Sequence, residues 1–266
     1  MFAILRSLLL YKHFILSSIR NELVTKFVRS KLGGLWIIIN PLSQVAIYAL
    51  ILSNVLAAKI PGVEKTYSYA IYLMAGLLAW NLFSEIISRC LNLFIENGNL
   101  MKKISFPKIT LPVIVLGSSL LNNMFLFIAM MFIFVILGHS FSLVLLWLIP
   151  LTVLLATLAL SLGLILGIFN VFLRDVAQII PIVLQVWFWF TPIVYPISII
   201  PEKYHQLLMV LNPMFSITNA YQMIIVYGKA PPLDSGLVMV SVLTLALLAL
   251  SLFLFRRATE EMVDVL

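Results

Sequence analysis

The sequence predicts an all-α polytopic membrane protein with six transmembrane helices, an N-terminal amphipathic interface helix, a re-entrant half-helix pair before the last span, and both termini cytoplasmic. Three observations support this fold class. Of the 266 residues, 63% are hydrophobic and 10% are charged, whereas soluble domains carry roughly 25% charged residues. Long stretches without any charge recur along the chain, and a helix needs about twenty apolar residues to cross the hydrocarbon core. Lys and Arg collect in alternate segments between these stretches.

The uncharged stretches place the predicted spans, and the charges between them orient the chain. Thirteen Lys and Arg residues lie on one predicted side and four on the other, and the basic excess belongs in the cytoplasm. We therefore expect a multi-pass protein of the bacterial inner (cytoplasmic) membrane. The six spans fall at about residues 35–57, 67–90, 110–137, 143–170, 177–200 and 235–255.

The net charge of +7 does not indicate nucleic-acid binding, because the basic excess lies in short segments beside spans, where topology and anionic lipid account for it. The single cysteine, Cys90, excludes an internal disulfide. His13 is predicted on the inside, whereas His139 and His205 are predicted on the outside, so the histidines cannot share a metal ion. We expect no metal site and no nucleic-acid partner.

Residues 1–34 are predicted to form a cytoplasmic interface segment, and residues 35–266 the membrane domain. The stretch 12–31 carries six charges, and each charge near the bilayer centre costs about 2.5–3.5 kcal/mol, so it is not a span. An amphipathic helix that lies in the cytoplasmic interface is predicted instead. Its apolar residues recur at helical spacing: Leu16, Ile19, Leu23 and Phe27.

The loop 91–109 after the second span contains a short predicted helix. Asn97-Gly98 is a turn signal, Asn99 is a favourable N-cap, and Pro107 limits how far the helix continues. The apolar side chains of this loop either fold back on the protein's own spans or dock a cytoplasmic partner. They are Leu100, Ile104 and Phe106.

Residues 206–227 form a further uncharged stretch that is not predicted to span. Asn212-Pro213 interrupts the helix in its first third, and a seventh span would place Arg256 and Arg257 outside. A re-entrant pair of half-helices that enters from the outer face satisfies both constraints. Broken helices of this kind commonly lie at gates and substrate paths.

The sequence lacks the side-chain sets that catalysis requires. We find no paired acids, no nucleophile with its base and no metal cluster, so we expect no catalytic residues and no enzyme activity. Glu85, which borders a span, is predicted to pair with Arg89 one helical turn later rather than to relay protons. No G-x-x-x-x-G-K-[ST] motif occurs, so any ATP must be hydrolysed by another subunit.

Four elements along the chain carry a family likeness. Residues 29–41 match R-x-x-LG-x-LW-x-x-x-x-P, and residues 97–107 match N-x-x-L-x-K-K-x-x-F-P. Residues 172–176 contain an RDV turn, and residues 191–195 with 212–213 form a TPI-x-Y and NP pair. In this order the elements resemble the permease subunits of polysaccharide-exporting ATP-binding-cassette transporters of the Wzm and TagG type.

The resemblance implies a half-transporter that exports an undecaprenyl-linked, O-antigen-like polysaccharide to the periplasm. Two copies of this chain pair with two copies of a nucleotide-binding ATPase subunit, which holds ATP and Mg²⁺, while this chain binds no cofactor of its own. The outer gate comprises Pro192, Tyr195, Asn212 and Pro213. The residues implied in coupling to the ATPase are Asn97, Asn99, Leu100, Lys102, Lys103, Phe106, Pro107 and Arg29.

Aromatic side chains are predicted to form the glycan path of such a permease, because ring faces bind pyranoses without demanding one hydrogen-bond pattern. In the fifth span, Trp187 and Phe190 share a helix face, whereas Phe188 and Trp189 point elsewhere, to lipid or protein. Helix packing or an interfacial aromatic belt would account for the same pattern. The second span contributes aromatic residues at steps of three and four: Tyr69, Tyr72, Trp80 and Phe83.

Other functions of the same architecture stay open at this point. The chain could export teichoic acid, capsule, drugs or small lipids, or it could be a membrane assembly subunit that transports nothing. Gene neighbourhood separates these alternatives, since a glycan exporter is expected beside its ATPase and glycosyltransferases.

Overall fold

The computed structural model describes residues 2–28, 35–36, 39, 42–43, 68–103, 106–136, 142–231 and 234–265. Regular structure in these residues is helical, with short 3-10 helices at Leu143–Trp147, Ile197–Ile199 and Glu202–Tyr204. The ten α-helices of the described part are α1 (Phe2–Leu10), α2 (Lys12–Val28), α3 (Ser68–Glu96), α4 (Gly98–Lys103), α5 (Thr110–Ile136), α6 (Leu148–Phe172), α7 (Val176–Phe190), α8 (His205–Leu211), α9 (Pro213–Tyr227) and α10 (Ser235–Val265).

Four of these helices are long and apolar enough to cross a membrane. They are α3, α5, α6 together with its preceding 3-10 turn, and α10, and they correspond to predicted spans two, three, four and six. The first predicted span, 35–57, lies almost entirely outside the described residues. The count of six spans and the cytoplasmic location of the termini therefore stay predictions.

The fifth predicted span, 177–200, is wrong in extent, because its helix ends early. α7 has 15 residues; at 1.5 Å per residue it is about 22 Å long, shorter than a hydrocarbon core of about 30 Å. Thr191 is extended, with φ −101° and ψ 130°. Its conformation follows from Pro192, since a proline ring disfavours the helical conformation in the residue before it.

Two other helices extend beyond their predicted limits. α3 continues to Glu96 rather than ending at residue 90. α10 passes through Arg256 and Arg257 to Val265 rather than ending at residue 255. Its 31 residues measure about 46 Å, so α10 is longer than the hydrocarbon core it is predicted to cross.

α3 is the central helix of the bundle. In its most apolar window 78% of the residues are buried, against 22–33% in the other candidate spans. It packs closely on α6, where the spacing of Gly163 and Gly167 predicts close helix approach. A Cβ on Gly163 would lie 2.8 Å from Cys90 Cβ, and one on Gly167 would overlap the Cys90 carbonyl oxygen. The two glycines therefore serve packing within the subunit.

A helix, α2, lies where the interface helix is predicted, but its buried face differs from the predicted one, and its place in the cytoplasmic interface stays a prediction. Ile15 and Ile19 are buried against α5, where Ile19 Cδ1 would lie 2.5 Å from a Cβ on Gly117. Leu16 is 63% exposed, because it lies about 100° around the helix from Ile15. Leu23 is half-buried.

Contacts between distant segments define two ends of the bundle. The Phe14 and Phe106 rings lie 6.0 Å apart, and Lys108 Nζ donates a hydrogen bond of 3.2 Å to the Thr259 carbonyl oxygen. α2, α4 and the last turns of α10 therefore share one end, called here the α4 end. The opposite end, where α3 begins and α7 stops, is called the Thr191 end.

Candidate functional site

A broken helix marks the Thr191 end. α8 stops at Leu211, α9 begins at Pro213, and Asn212 between them is extended, with φ −120° and ψ 94°. The Asn212 side chain caps α9 by accepting a 3.0 Å hydrogen bond from the Met214 N–H. The predicted interruption at Asn212-Pro213 is confirmed, whereas re-entry of the pair into the membrane stays a prediction.

The Asn212 amide also joins this break to the end of α7. Its Oδ1 accepts a 2.8 Å hydrogen bond from Trp187 Nε1, and its Nδ2 donates to the Phe190 carbonyl oxygen at 3.2 Å. Nδ2 also lies 3.0 Å from Thr191 Oγ1. Asn212 is 5% exposed; its bond to Thr191 is buried, and its bonds to Trp187 and Phe190 are partly buried.

Residues 191–195 include two of the predicted gate residues and are therefore called the gate segment. They are held through their main-chain carbonyls. Tyr69 donates its hydroxyl to the Val194 carbonyl oxygen at 2.6 Å. The Tyr72 hydroxyl lies 3.1 Å from the Pro192 carbonyl oxygen, which also accepts a 3.1 Å bond from Gln222 Nε2. α3 and α9 thus fix the gate segment from two directions.

Packing around the gate segment is tight. A Cβ on Gly76 would lie 3.0 Å from Ile193 Cγ2 and 3.2 Å from Gln222 Nε2. Ile193 and Val194 are 0% and 3% exposed. The four predicted gate residues meet here: Pro192, Tyr195, Asn212 and Pro213 lie in the gate segment or at the helix break.

The structure places the predicted glycan-path residues mostly inside the subunit. Tyr69, Tyr72 and Trp80 are 4–7% exposed and Phe83 is 0% exposed, as expected for the alternative of helix packing. Phe83 packs edge-on against Trp187 at 5.2 Å.

Among the fifth-span aromatic residues, Trp187 and Phe190 line one cavity, in agreement with the predicted shared helix face. Phe190 is 64% exposed, and Trp187 is half-buried. Phe188 packs against Trp80 at 5.5 Å, as predicted for a protein contact. Glycan contact by any of the six predicted path residues stays a prediction.

The α4 end contains most of the predicted coupling residues, and some of them are exposed while others pack against the core. Asn99, Lys102 and Lys103 are exposed. Leu100 and Phe106 are half-buried and pack against the core, as expected for a loop that folds back on its own spans. The exposed surface of α4 is therefore polar and basic rather than apolar.

The other predicted coupling residues either support the local fold or lie outside the residues that the structure describes. Asn99 lies within α4, so the prediction that it caps the helix is wrong. Asn97 precedes the first helical residue of α4, and its Nδ2 donates a 2.8 Å hydrogen bond to the Leu93 carbonyl oxygen. Pro107 is half-buried, and Arg29 lies outside the described residues.

An ion-pair cluster lies beside α4, between α2, α3 and α5. Arg89 lies 3.7 Å from Glu85, which confirms the predicted pair, and 2.8 Å from Glu22 of α2. Arg89 also donates to Ser118 Oγ at 2.6 Å, and Asn122 Nδ2 donates to Glu85 at 2.7 Å. One cation thus joins three helices.

Comparison with known proteins identifies the protein family. The model of the ABC-2 type transporter family matches residues 14–226. The chain belongs to this family. The matched range of the ABC-2 transporter runs from α2 to the last turn of α9, and so includes the ion-pair cluster, α4 and the gate segment.

Named relatives of this ABC-2 transporter are similar over most of its length. It is 29% identical to the O-antigen export system permease protein RfbA of Myxococcus xanthus, over 99% of both chains. It is also 29% identical to the protein of the same name from Klebsiella pneumoniae over 78% of both chains. Identity to the polysialic acid transport protein KpsM of Escherichia coli is 25%, over 91% of this chain and 92% of that protein.

Sequence reasoning missed two residues that hold the ABC-2 transporter's two ends. Gln222, an amide in an otherwise apolar stretch, is 2% exposed and bonds the gate segment. The available signal was a polar residue within an uncharged segment, because a polar group that becomes buried there needs a partner. Glu22 gave no comparable signal, since its partner Arg89 is 67 residues away in sequence.

Proposed function

We propose that the chain is the transmembrane permease subunit of an ATP-driven exporter that moves an undecaprenyl-linked, O-antigen-like polysaccharide from the cytoplasm to the periplasm. The observation that carries the proposal is the similarity to an O-antigen export permease over 99% of both chains. A match of that length includes the gate segment and the α4 end together. Both are parts that a permease needs, one to close the path and one to meet its ATPase.

The working complex in this proposal contains two copies of the chain and two copies of an ATPase subunit in the inner membrane. ATP and Mg²⁺ are bound by the ATPase. The exposed Asn99, Lys102 and Lys103 present a polar surface for docking that subunit, supported by their position beyond the end of α3. The gate segment closes the periplasmic end.

A deletion strain tests the function directly. Without the chain, surface glycan should fall to the background of an ATPase-subunit deletion, lipid-linked glycan should accumulate in the inner membrane, and the wild-type chain should restore export. Normal surface glycan in the deletion strain would contradict the proposal. Loss of a secreted drug or small lipid instead of glycan would place the chain in another transport class.

Charge reversal at α4 tests the docking surface in the same strain. K102E together with K103E should lower export at least tenfold and weaken co-purification of the ATPase subunit, while the permease still accumulates in the membrane. The matched control is K229E, an exposed lysine just after α9, at the other end of the bundle. Equal effects of both substitutions on co-purification would show that α4 does not dock the ATPase.

A further inference from the structure

A cavity of about 600 Å³ opens between α5 and α6, which are both candidate membrane spans. α3 and α9 close it from behind, where Leu78 and Tyr221 are buried. On its rim, Met124, Ile149 and Val153 are exposed. The cavity is therefore a cleft in the outer surface of the bundle with a buried floor.

The cleft lies at the depth of the hydrocarbon core. α5 runs from Thr110 to Ile136, and its part of the wall extends from Leu120 to Met131. This wall begins about 15 Å from one end of the helix and stops about 8 Å from the other. A membrane around the bundle therefore presents lipid tails to the opening rather than headgroups or water.

The wall of the cleft is apolar, and its few polar groups are already joined in pairs. Asn123 Nδ2 donates a 2.9 Å hydrogen bond to the Leu78 carbonyl oxygen, and the Thr152 and Tyr221 hydroxyls lie 2.6 Å apart. None of the described side chains on the wall is charged. A sugar or a peptide would lose its hydrogen bonds to water here without replacing them, so the fitting occupant is a hydrocarbon.

An empty cleft of this size is unfavourable, because side chains that line a void lose dispersion contacts on one side. Water does not fill it, since apolar cavities stay dry. Its volume falls within the range of about 300–1,000 Å³ that is typical of ligand sites. In a membrane the hydrocarbon at hand is the acyl chain of a phospholipid, which is thin and flexible enough to enter between two helices.

The floor of the cleft joins it to the gate segment. Tyr221 of α9 lines the floor, and the next residue, Gln222, donates a 3.1 Å hydrogen bond to the Pro192 carbonyl oxygen. Successive helical residues point about 100° apart. α9 therefore turns one side to the cleft and the adjacent side to the gate segment, and packing in the cleft supports the helix that holds the gate segment.

We propose that the cleft binds one acyl chain of a membrane phospholipid, which wedges between α5 and α6 and packs against α9 behind the gate segment. The bound lipid is a structural component of the subunit. This inference goes beyond the export function, because it follows from the packing of the bundle and holds for any cargo.

Photo-crosslinking tests the occupant. The complete transporter is reconstituted into vesicles of phosphatidylethanolamine and phosphatidylglycerol, part of which carries a diazirine on one acyl chain. It is extracted in detergent, freed of loosely bound lipid by gel filtration, and then illuminated.

Adducts should map to residues 120–131 and 145–153, which border the cleft. Their yield should exceed that on residues 238–245 of α10 by roughly tenfold, because an enclosed chain dissociates more slowly than one on an open surface. That stretch of α10 is the internal control, since Val238, Val242 and Leu245 are exposed there. Equal yields would show that the cleft retains no lipid, and would overturn the inference.

A matched pair of substitutions tests whether the retained chain lies in the cleft. Val153 on the rim is 61% exposed and Val242 of α10 is 62% exposed. V153W should lower the yield of adducts at the cleft roughly fivefold, because the indole takes space that the chain needs, whereas V242W should leave it unchanged. Equal yields in the two variants would overturn the inference. If V153W does not accumulate, the adduct map of the wild type decides.

Competition distinguishes a phospholipid from the lipid carrier of the proposed cargo. Unlabelled polyprenyl phosphate, added to the vesicles in the same amount as the labelled phospholipid, should leave the adduct yield at the cleft unchanged. Loss of most of these adducts would assign the cleft to the carrier lipid and overturn the inference.

Thermal denaturation tests whether the bound chain supports the bundle. Phospholipid added to the detergent-purified transporter should raise the Tm of the wild type and of V242W, because a ligand that binds only the folded state stabilises it. The Tm of V153W should rise less, since its cleft is already filled. An equal rise in all three proteins would show that the stabilising lipid binds elsewhere, and would contradict the structural role.

Discussion

The two ends of α3 are held by different chemistry. At the Thr191 end, neutral donors from Tyr69, Tyr72 and Gln222 bind main-chain carbonyls of the gate segment. In the ion-pair cluster near the α4 end, side chains bind side chains, and Arg89 is shared between two carboxylates. The first arrangement fixes a backbone in one conformation. The second joins three helices through long side chains that can exchange partners.

The gate segment and the ion-pair cluster also differ in their exposure to solvent. The gate segment is almost fully buried from Thr191 to Val194. In the ion-pair cluster the Arg89, Glu22 and Glu85 side chains are 26%, 27% and 30% exposed. Water and salt can therefore screen the cluster but cannot reach the carbonyl bonds. The comparison indicates a rigid Thr191 end and an adjustable α4 end.

The largest effect is expected at Asn212. N212A removes the α9 cap and the hydrogen-bond partner of Trp187 Nε1 and of the Phe190 carbonyl oxygen, which are partly buried, and a buried group left without a partner costs about 1–3 kcal/mol. We expect the free energy of unfolding in detergent to fall by roughly 3 kcal/mol. The control is N219A, at a half-buried position in α9. Similar thermal denaturation of the two variants would show that the Thr191 end does not depend on the Asn212 amide.

A smaller, salt-dependent effect is expected at the ion-pair cluster. R89Q should lower the free energy of unfolding by about 1–2 kcal/mol, between the values typical of buried and of exposed pairs. In a double-mutant cycle with E22Q, the coupling energy should be about 1 kcal/mol in dilute buffer and should decrease in 1 M salt. A coupling energy that does not change with salt would remove the proposed difference between the two ends.

The smallest effects distinguish two tyrosines of α3 that bind the gate segment. Y69F should destabilise by about 1 kcal/mol, because it removes the hydroxyl that binds the Val194 carbonyl oxygen. Y72F should cost about half as much, since Gln222 still donates to the Pro192 carbonyl oxygen. Both effects should be the same in dilute buffer and in 1 M salt. A larger loss for Y72F would mean that Gln222 does not compensate.

Local chemistry made much of the fold predictable. Uncharged stretches predicted α3, α5, α6 and α10, and Asn212-Pro213 predicted the helix break, because proline lacks an N–H and restricts the residue before it. The pair of Glu85 and Arg89 was predictable for the same reason, since one helical turn separates them. The ends of the helices were predicted less accurately. Arg256 and Arg257, for example, end an apolar stretch of the sequence, but the helix continues through them.

The candidate site was predicted in part. Pro192, Tyr195 and Asn212 were assigned to one gate from their motifs, and the structure brings them together. Tyr69 and Tyr72 were assigned to a sugar path from their spacing, but their hydroxyls hold the gate segment. Spacing identifies residues on one helix face, and it does not say what covers that face.

By itself, the sequence determined the helical class, the candidate spans and the break at Asn212, since hydropathy, charge and proline act over a few neighbouring residues. Only the tertiary structure decided what each face of α3 contacts. The aromatic face and the polar face with Asn81, Glu85 and Ser88 both follow the helical period, and neither pattern contains the position of α6 or of the gate segment. The packing partners of a face come from residues far away in sequence, such as Gly163 for Cys90 and Glu22 for Arg89.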